Sequence, residues 1–341
     1  MLDANNMVSV ATWKDGKRFA YSITYDEGLV ETAGFAWLIH RDYRIPGHIN
    51  VFPHMLGQLV GDTSAGFLQS LWNLQKYAGP EQLEFLMSEG WSVGCQFNSA
   101  DKTPTVESLR EMRLSLEKAI GSPVRALAFP DFKSCQAHQG IAQEAGFDRL
   151  LAVYDDLNAA DEDTNVTRRS PLYHCGPAPI RLATDPYRLL ASARDRGGWV
   201  VDVVRLVDRY PLDPARDCTP GELEARFKAV STIGGDQGWM ASHETIARYR
   251  ALRLSTRLQD YVATPRQISY TLAVTNSGGL TAQDELTFVV QLDSGWLSPQ
   301  IIIADDIVSG QPGSDSGVWS FTHRVADGLQ VRMIDSGGRS A

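Results

Sequence analysis

Phe19-Ala20-Tyr21-Ser22-Ile23-Thr24-Tyr25-Asp26-Glu27-Gly28 is the stretch that decides how this chain is read. Its first six residues form an apolar run with the composition of a strand, and Asp26-Glu27-Gly28 ends it. Two adjacent carboxylates therefore stand at a strand end. In parallel α/β architectures that end faces the active site. Repulsion between neighbouring carboxylates raises the pKa of one and leaves the other charged, so such a pair can divide acid and base duties. The plain alternative is a polar strand-to-loop turn, with Gly28 taking a positive φ.

Working outward, short apolar runs alternate with helical patterns up to about Arg253. Strands are expected over residues 45–52, 91–97, 125–129, 150–154, 199–204 and 239–240, and helices over 67–77, 81–88, 136–145, 186–194, 220–230 and 245–252. The clearest helix covers 105–120, where Leu109, Met112, Leu116 and Ile120 recur at spacings of three and four and Gly121 supplies the stop. Residues 155–179 read as a long polar loop. Strands alternating with helices imply parallel pairing through crossovers, hence a barrel or an open α/β sheet. After Thr256 the pattern changes. Ile268 to Val274 alternates at period two, Asn276-Ser277-Gly278-Gly279 reads as a turn, and further strands are expected over 286–292, 300–303, 318–322 and 329–333. The division is a first domain over 1–255 and a small β-sandwich-like module over 256–341.

Composition narrows the partners. The 341 residues (37.6 kDa) are 43% apolar and 21% charged, enough to bury a full core. Thirty-two basic against 41 acidic residues give a net charge of −9. That balance argues against nucleic acid and against an anionic membrane surface, both of which are gripped by clustered Lys and Arg. No apolar run approaches the roughly 20 residues of a membrane span. Cys95, Cys135, Cys175 and Cys218 lie far apart with no CxxC pair, so no zinc finger is expected. The opening residues carry no secretory signal.

Thr24-Tyr25-Asp26-Glu27-Gly28 resembles the Thr-Phe-Asp-Asp-Gly motif of the polysaccharide deacetylase (NodB-homology) family. Ile45 to Phe52 resembles that family's second strand, Gly90-Trp91-Ser92-Val93-Gly94 the approach to its metal motif, and Ala126-Leu127-Ala128-Phe129-Pro130 its arginine/proline motif. Gly198-Trp199-Val200-Val201 and Trp239-Met240-Ala241-Ser242 resemble its last two strands, so the likeness spans about residues 12–253. The resemblance implies an α/β fold, a distorted (β/α) barrel of the deacetylase type with a C-terminal all-β module. It implies metal-assisted hydrolysis of an N- or O-acyl bond of a carbohydrate. Carried over, Asp26 is the base and Glu27 the metal carboxylate.

The departures fall on the metal. The family's two ligand histidines correspond to Gln96 and Ala100, and its catalytic histidine to Arg205. Alanine cannot ligate, a neutral amide is a poor zinc ligand, and a guanidinium donates hydrogen bonds without shuttling a proton. Ala128 stands near the place of the family's arginine. The cofactor is therefore open: none, or one divalent cation. His48 or His54 could supply a ligand or a proton-transfer group, and Asp26, Glu27, Asn98, Asp101 and Asp131 could form an oxygen-rich site for Mg²⁺ or Ca²⁺. A third route needs no metal, as the resemblance to allantoinase-like members allows. For the histidines the bland reading is packing, for the acidic residues a solvated rim, and for Arg205 an ion pair with Asp202 or Asp208.

The expected machinery is thus Asp26, Glu27, Arg205 and His48 as catalytic residues, with Gln96, Asn98, Asp131 and Tyr25 contacting substrate. The expected activity is hydrolysis of a C–N or ester bond in a carbohydrate or related polar metabolite. The rivals are a non-catalytic carbohydrate-binding descendant and a lyase on a uronic acid. Tyr173-His174-Cys175 lacks an orienting acid. Trp296 and Trp319 could stack on a sugar or fill the sandwich core.

Overall fold

The computed structural model describes residues 7–59, 75–97, 104–172, 185–211, 213, 216–275, 280–281, 284–313 and 316–337. It divides into two compact units, residues Phe19–Ala247 and residues Met1–Arg18 with Arg248–Ala341.

The first unit is a closed barrel of seven parallel strands. They are β1 (Phe19–Tyr25), β2 (His48–Val51), β3 (Ser92–Gln96), β4 (Ala126–Phe129), β5 (Arg149–Val153), β6 (Val166–Pro171) and β7 (Trp199–Val204). Each pairs with the next, and β7 closes on β1 from Ala20↔Trp199 to Tyr25↔Val204. Gly238–Met240 adds a further parallel strand alongside the start of β1. Helices α1 (Trp37–Tyr43), α2 (Pro80–Ser88), α3 (Val106–Ile120), α4 (Phe132–Glu144), α5 (Leu190–Arg196) and α6 (Pro220–Gly234) follow the strands. The expected barrel is therefore present. Among the described residues no helix is long and apolar enough to cross a membrane.

Side-chain alternation along β1 separates two environments. Tyr21, Ile23 and Tyr25 belong to the large apolar core. Tyr25 is fully buried, stacks on Trp91 at 5.4 Å, and donates its hydroxyl to His40 Nε2 at 2.6 Å. His40 Nδ1 donates in turn to the Ile45 carbonyl. The opposite face of β1 presents Thr24 and Asp26 to the barrel interior, where Asp26 meets Asn50 of β2 and Arg169 of β6. The barrel centre is polar, and Thr24, Asp26, Asn50 and Arg169 are joined there in hydrogen bonds.

Three departures from the sequence reading matter. The polar loop expected over 155–179 contains β6. Arg168 of that strand pairs outward with Glu162, while Thr167 and Arg169 bond inward to His243 and Asp26. The helix expected over 67–77 falls mostly outside the described residues; its described end, Lys76 and Tyr77, forms bridges with Leu59 and Leu29 instead. The helix expected from residue 186 begins at Leu190, after Leu189 at φ 63°.

The second unit contains two antiparallel sheets. One orders Met7–Val10, Glu285–Gln291, Val318–Arg324 and Gln311–Pro312; the other orders Thr256–Thr264, Gln267–Val274, Gln330–Asp335, Pro299–Ile303 and Asp306–Val308. Tyr270 of the second sheet meets Phe288 of the first at 6.2 Å, and Phe288 stacks on Phe321 at 5.2 Å. Trp296 is buried in this unit, and Trp319 is half-buried.

Gly94 of β3 lets the backbone approach the interior network. A Cβ there would lie 2.9 Å from both Asn50 Oδ1 and His48 Nε2 and 3.0 Å from the Ala126 Cβ. Those groups are held by hydrogen bonds and cannot swing aside freely. Gly94→Ala is expected to destabilise the protein by ~1–3 kcal/mol through overpacking. Urea unfolding of the two proteins checks this, and an unchanged midpoint would contradict it.

Candidate active site

The barrel strands end at a pocket of about 490 Å³. Asp26, Glu27, Gln96, Arg205 and Arg216 supply its polar wall. Phe52, Phe97, Pro130, Val153, Pro171 and Val203 supply much of the rest.

Asp26 is 5% exposed. Its Oδ1 accepts from Arg169 Nη1 at 2.5 Å and from Asn50 Nδ2 at 3.0 Å. Its Oδ2 accepts no hydrogen bond among the described residues. The carboxylate is thus pinned by one oxygen and offers the other to the pocket. Arg169 is fully buried; its Nη2 donates to the Phe129 carbonyl at 2.9 Å, and its Nε has no partner among the described residues.

Asn50 donates to Asp26 through its amide, so its Oδ1 must accept from His48 Nε2 at 2.8 Å. That fixes the proton on Nε2 and leaves His48 Nδ1 to accept from the Ser92 hydroxyl at 2.7 Å. Burial pushes the His48 pKa down to about 4, and the ring is neutral at pH 7. His48 is fully buried with both nitrogens engaged. It is not among the residues that line the pocket, and its hydrogen bond to Asn50 continues from Asn50 to Asp26.

Glu27 and Gly28 both adopt left-handed backbone, at φ 68° and 67°. For a non-glycine residue this conformation costs roughly 1–2 kcal/mol. Gly28 is required twice over, since a Cβ there would meet Val51 Cγ1 at 2.5 Å. The turn is braced by the Glu27 N–H donating to Gln96 Oε1 at 2.9 Å. Gln96 Nε2 is left without a partner among the described residues. The Glu27 carboxylate accepts from Arg216 Nη2 at 2.6 Å.

Arg205 is held bidentately by Asp217, Nε to Oδ1 at 2.7 Å and Nη2 to Oδ2 at 2.5 Å. The partner is neither Asp202 nor Asp208. Asp202 is claimed by Arg226 and by the Tyr21 hydroxyl. Asp217 comes into place because the short strands Leu206–Val207 and Asp217–Cys218 pair in parallel.

Asp26, Glu27, Gln96 and Arg205 are therefore brought together, while other expected residues are not. Tyr25 is packed against His40 and Trp91, away from the pocket. Asp131 is the exposed N-cap of α4; the Ser134 N–H it accepts holds its carboxyl below its ordinary pKa. His54 is exposed beside Phe52. Asn98, Asp101 and the Tyr173-His174-Cys175 stretch lie outside the described residues. Sequence reasoning missed Arg169, Asn50 and Arg216. The available signal was Arg168-Arg169 in an otherwise uncharged run, Val166 to Pro171.

No family model matches the chain, and no curated protein does. Among solved structures it is similar to a Mycobacterium smegmatis protein described as a polysaccharide deacetylase, with TM-score 0.43, 14% identity, and 71% of this chain and 93% of that one covered. It is similar to PuuE allantoinase, with TM-score 0.43, 13% identity and coverage of 70% and 92%. It is also similar to the Xyl-CE4 domain of a multidomain xylanase from the hindgut metagenome of Trinervitermes trinervoides, with TM-score 0.39, 9% identity and coverage of 69% and 92%.

The buried histidines set an acid limit on stability. The folded pKa of His48, about 4, lies below its ordinary 6.5, so the unfolded chain binds the extra proton. His40, pushed down to about 3 by burial, acts in the same direction. Their contribution is complete above pH 6.5 and is lost as pH falls toward 4. Each is expected to steepen the acid limb by up to ~1.4 kcal/mol per pH unit. Urea unfolding between pH 7 and pH 4.5 should show a shallower limb in His48→Gln. An identical slope would contradict the assignment.

Proposed function

We propose that this chain is a deacetylase-like hydrolase that cleaves a C–N (amide) or ester bond in a small polar substrate, with Asp26 as general base. One observation carries the reading: Asp26 Oδ1 is clamped by Arg169 and Asn50, Oδ2 accepts no hydrogen bond among the described residues, and Asp26 and Arg205 both line the pocket. A base needs a fixed geometry and a free lone pair, and this arrangement supplies both.

The residues do not fit a divalent metal. Among the described residues no group of three or more His, Cys, Asp or Glu side chains could hold one. Guanidiniums instead occupy the carboxylates that a cation would need, Arg169 on Asp26 and Arg216 on Glu27. Gln96 Oε1, a further oxygen at the motif, is taken by the Glu27 N–H. A cation there would meet positive charge at contact distance.

In the proposed reaction, water gives a proton to Asp26 Oδ2 as its oxygen adds to the acyl carbon. The carbonyl π pair moves onto oxygen, and Arg205 stabilises the charge that develops there. Arg205 suits this task because Asp217 fixes its orientation, so little reorganisation is needed during the reaction. The tetrahedral adduct collapses, the bond to nitrogen or oxygen breaks, and Asp26 returns the proton to the leaving group.

Asp26→Asn is expected to lower hydrolysis of 4-nitrophenyl acetate by ~10²–10⁴-fold. It also leaves Arg169 buried without a counter-charge, at a cost of ~3–5 kcal/mol in stability. Both are measurable, by initial rates at a temperature where the variant is folded and by urea unfolding. A folded Asp26→Asn protein with the parent rate sinks the assignment.

A further inference from the structure

The composition of the pocket wall bears on the kind of molecule the site accepts. Three guanidiniums, Arg169, Arg205 and Arg216, stand against three carboxylates, Asp26, Asp217 and Glu27, in one-to-one pairs. Among the described residues these charges balance, although the chain carries a net charge of −9. An incoming anion meets no excess negative charge.

Arg216 is the least committed of the three cations. It is exposed, and Glu27 takes only its Nη2. Its Nε and Nη1 have no partner among the described residues. Gln96 Nε2 is likewise unspent, and both side chains are fixed to the same residue, Gln96 through the Glu27 N–H and Arg216 through the Glu27 carboxylate. Two side chains with unspent donors, one of them cationic, thus line the pocket and are both bonded to Glu27. That combination matches a carboxylate.

The rest of the wall points away from sugar. Phe52, Phe97, Pro130, Val153, Pro171 and Val203 offer no hydrogen bonds to the hydroxyl groups of a saccharide. Hydroxyls buried against them would lose water without replacement. A volume of about 490 Å³ fits one small molecule.

We propose that the site takes a compact substrate bearing a carboxylate and an apolar side group, an N-acyl amino acid in chemical class, with Arg216 as the residue that selects for the carboxylate. The inference rests on the hydrolase reading for the reaction but not for the binding. The apolar group lies against the Phe52 and Phe97 side of the pocket, and the acyl carbon faces Asp26.

Calorimetric titration of the full-length chain tests this with N-acetyl-L-phenylalanine, its neutral carboxamide N-acetyl-L-phenylalaninamide, and chitotriose. The acid is expected to bind at least tenfold more tightly than the carboxamide, and chitotriose more weakly than either. In Arg216→Gln the preference for the acid should fall to about onefold with carboxamide affinity retained. Equal binding of acid and carboxamide by the parent protein overturns the proposal, whether or not the variant folds. So does tighter binding of chitotriose. Acetate release is followed separately. Selective binding of the acid with no acetate released would overturn the hydrolase reading and leave the substrate class standing.

Discussion

Arg169 lies wholly inside the barrel, with Nη1 2.5 Å from Asp26 Oδ1. A buried guanidinium is costly unless its charge is met by a hydrogen-bonded counter-charge. Asp26 supplies the charge and the Phe129 carbonyl a second acceptor. The same pair joins segments that are distant in sequence, since Arg169 lies on β6 and Asp26 directly follows β1. A contact across the barrel interior therefore fixes the Asp26 carboxylate. The direction of the free Asp26 oxygen follows from it, because the other oxygen is spent.

Behind the pair, a line of hydrogen bonds runs from Asp26 through Asn50 and His48 to Ser92. Each member has its donor and acceptor roles dictated by the next. A half-satisfied line would be costly in so enclosed a space, and a complete one rigidifies the site. In front of the pair, Arg205–Asp217 and Arg216–Glu27 repeat the same solution at the pocket wall. Opposed guanidinium and carboxylate groups place positive charge beside each of these carboxylates. Guanidinium is suited to that use because it stays charged and its fork is rigid.

Much of the barrel was legible in the sequence because its strands are apolar and its helices carry stop signals. Residues 105–120 show both, with Thr105 and Ser108 forming a reciprocal cap on α3 and Gly121 closing it at φ 65°. Asp26 at a strand end was legible for the same reason. β6 was not. Thr167, Arg169 and Ser170 are buried polar residues whose partners lie elsewhere in the chain, so no local pattern marks them as a strand. Arg205 was visible as a cation near the site, but its partner Asp217 depends on a two-residue parallel ladder too short to read. Met7–Val10 was missed because a single four-residue strand gains its meaning only from pairing with Glu285–Gln291. His48 read as a candidate proton carrier because a sequence gives residue type but not depth.

The central claim is that the carboxylates of this site are matched by arginine side chains rather than held for a metal. The most direct test is the metal content of the full-length chain purified with neither added metal nor chelator, read by inductively coupled plasma mass spectrometry beside Asp26→Asn. The expected result is far less than one equivalent of any divalent metal, unchanged by the substitution. Close to one equivalent per chain, lost on replacing Asp26, would contradict the account.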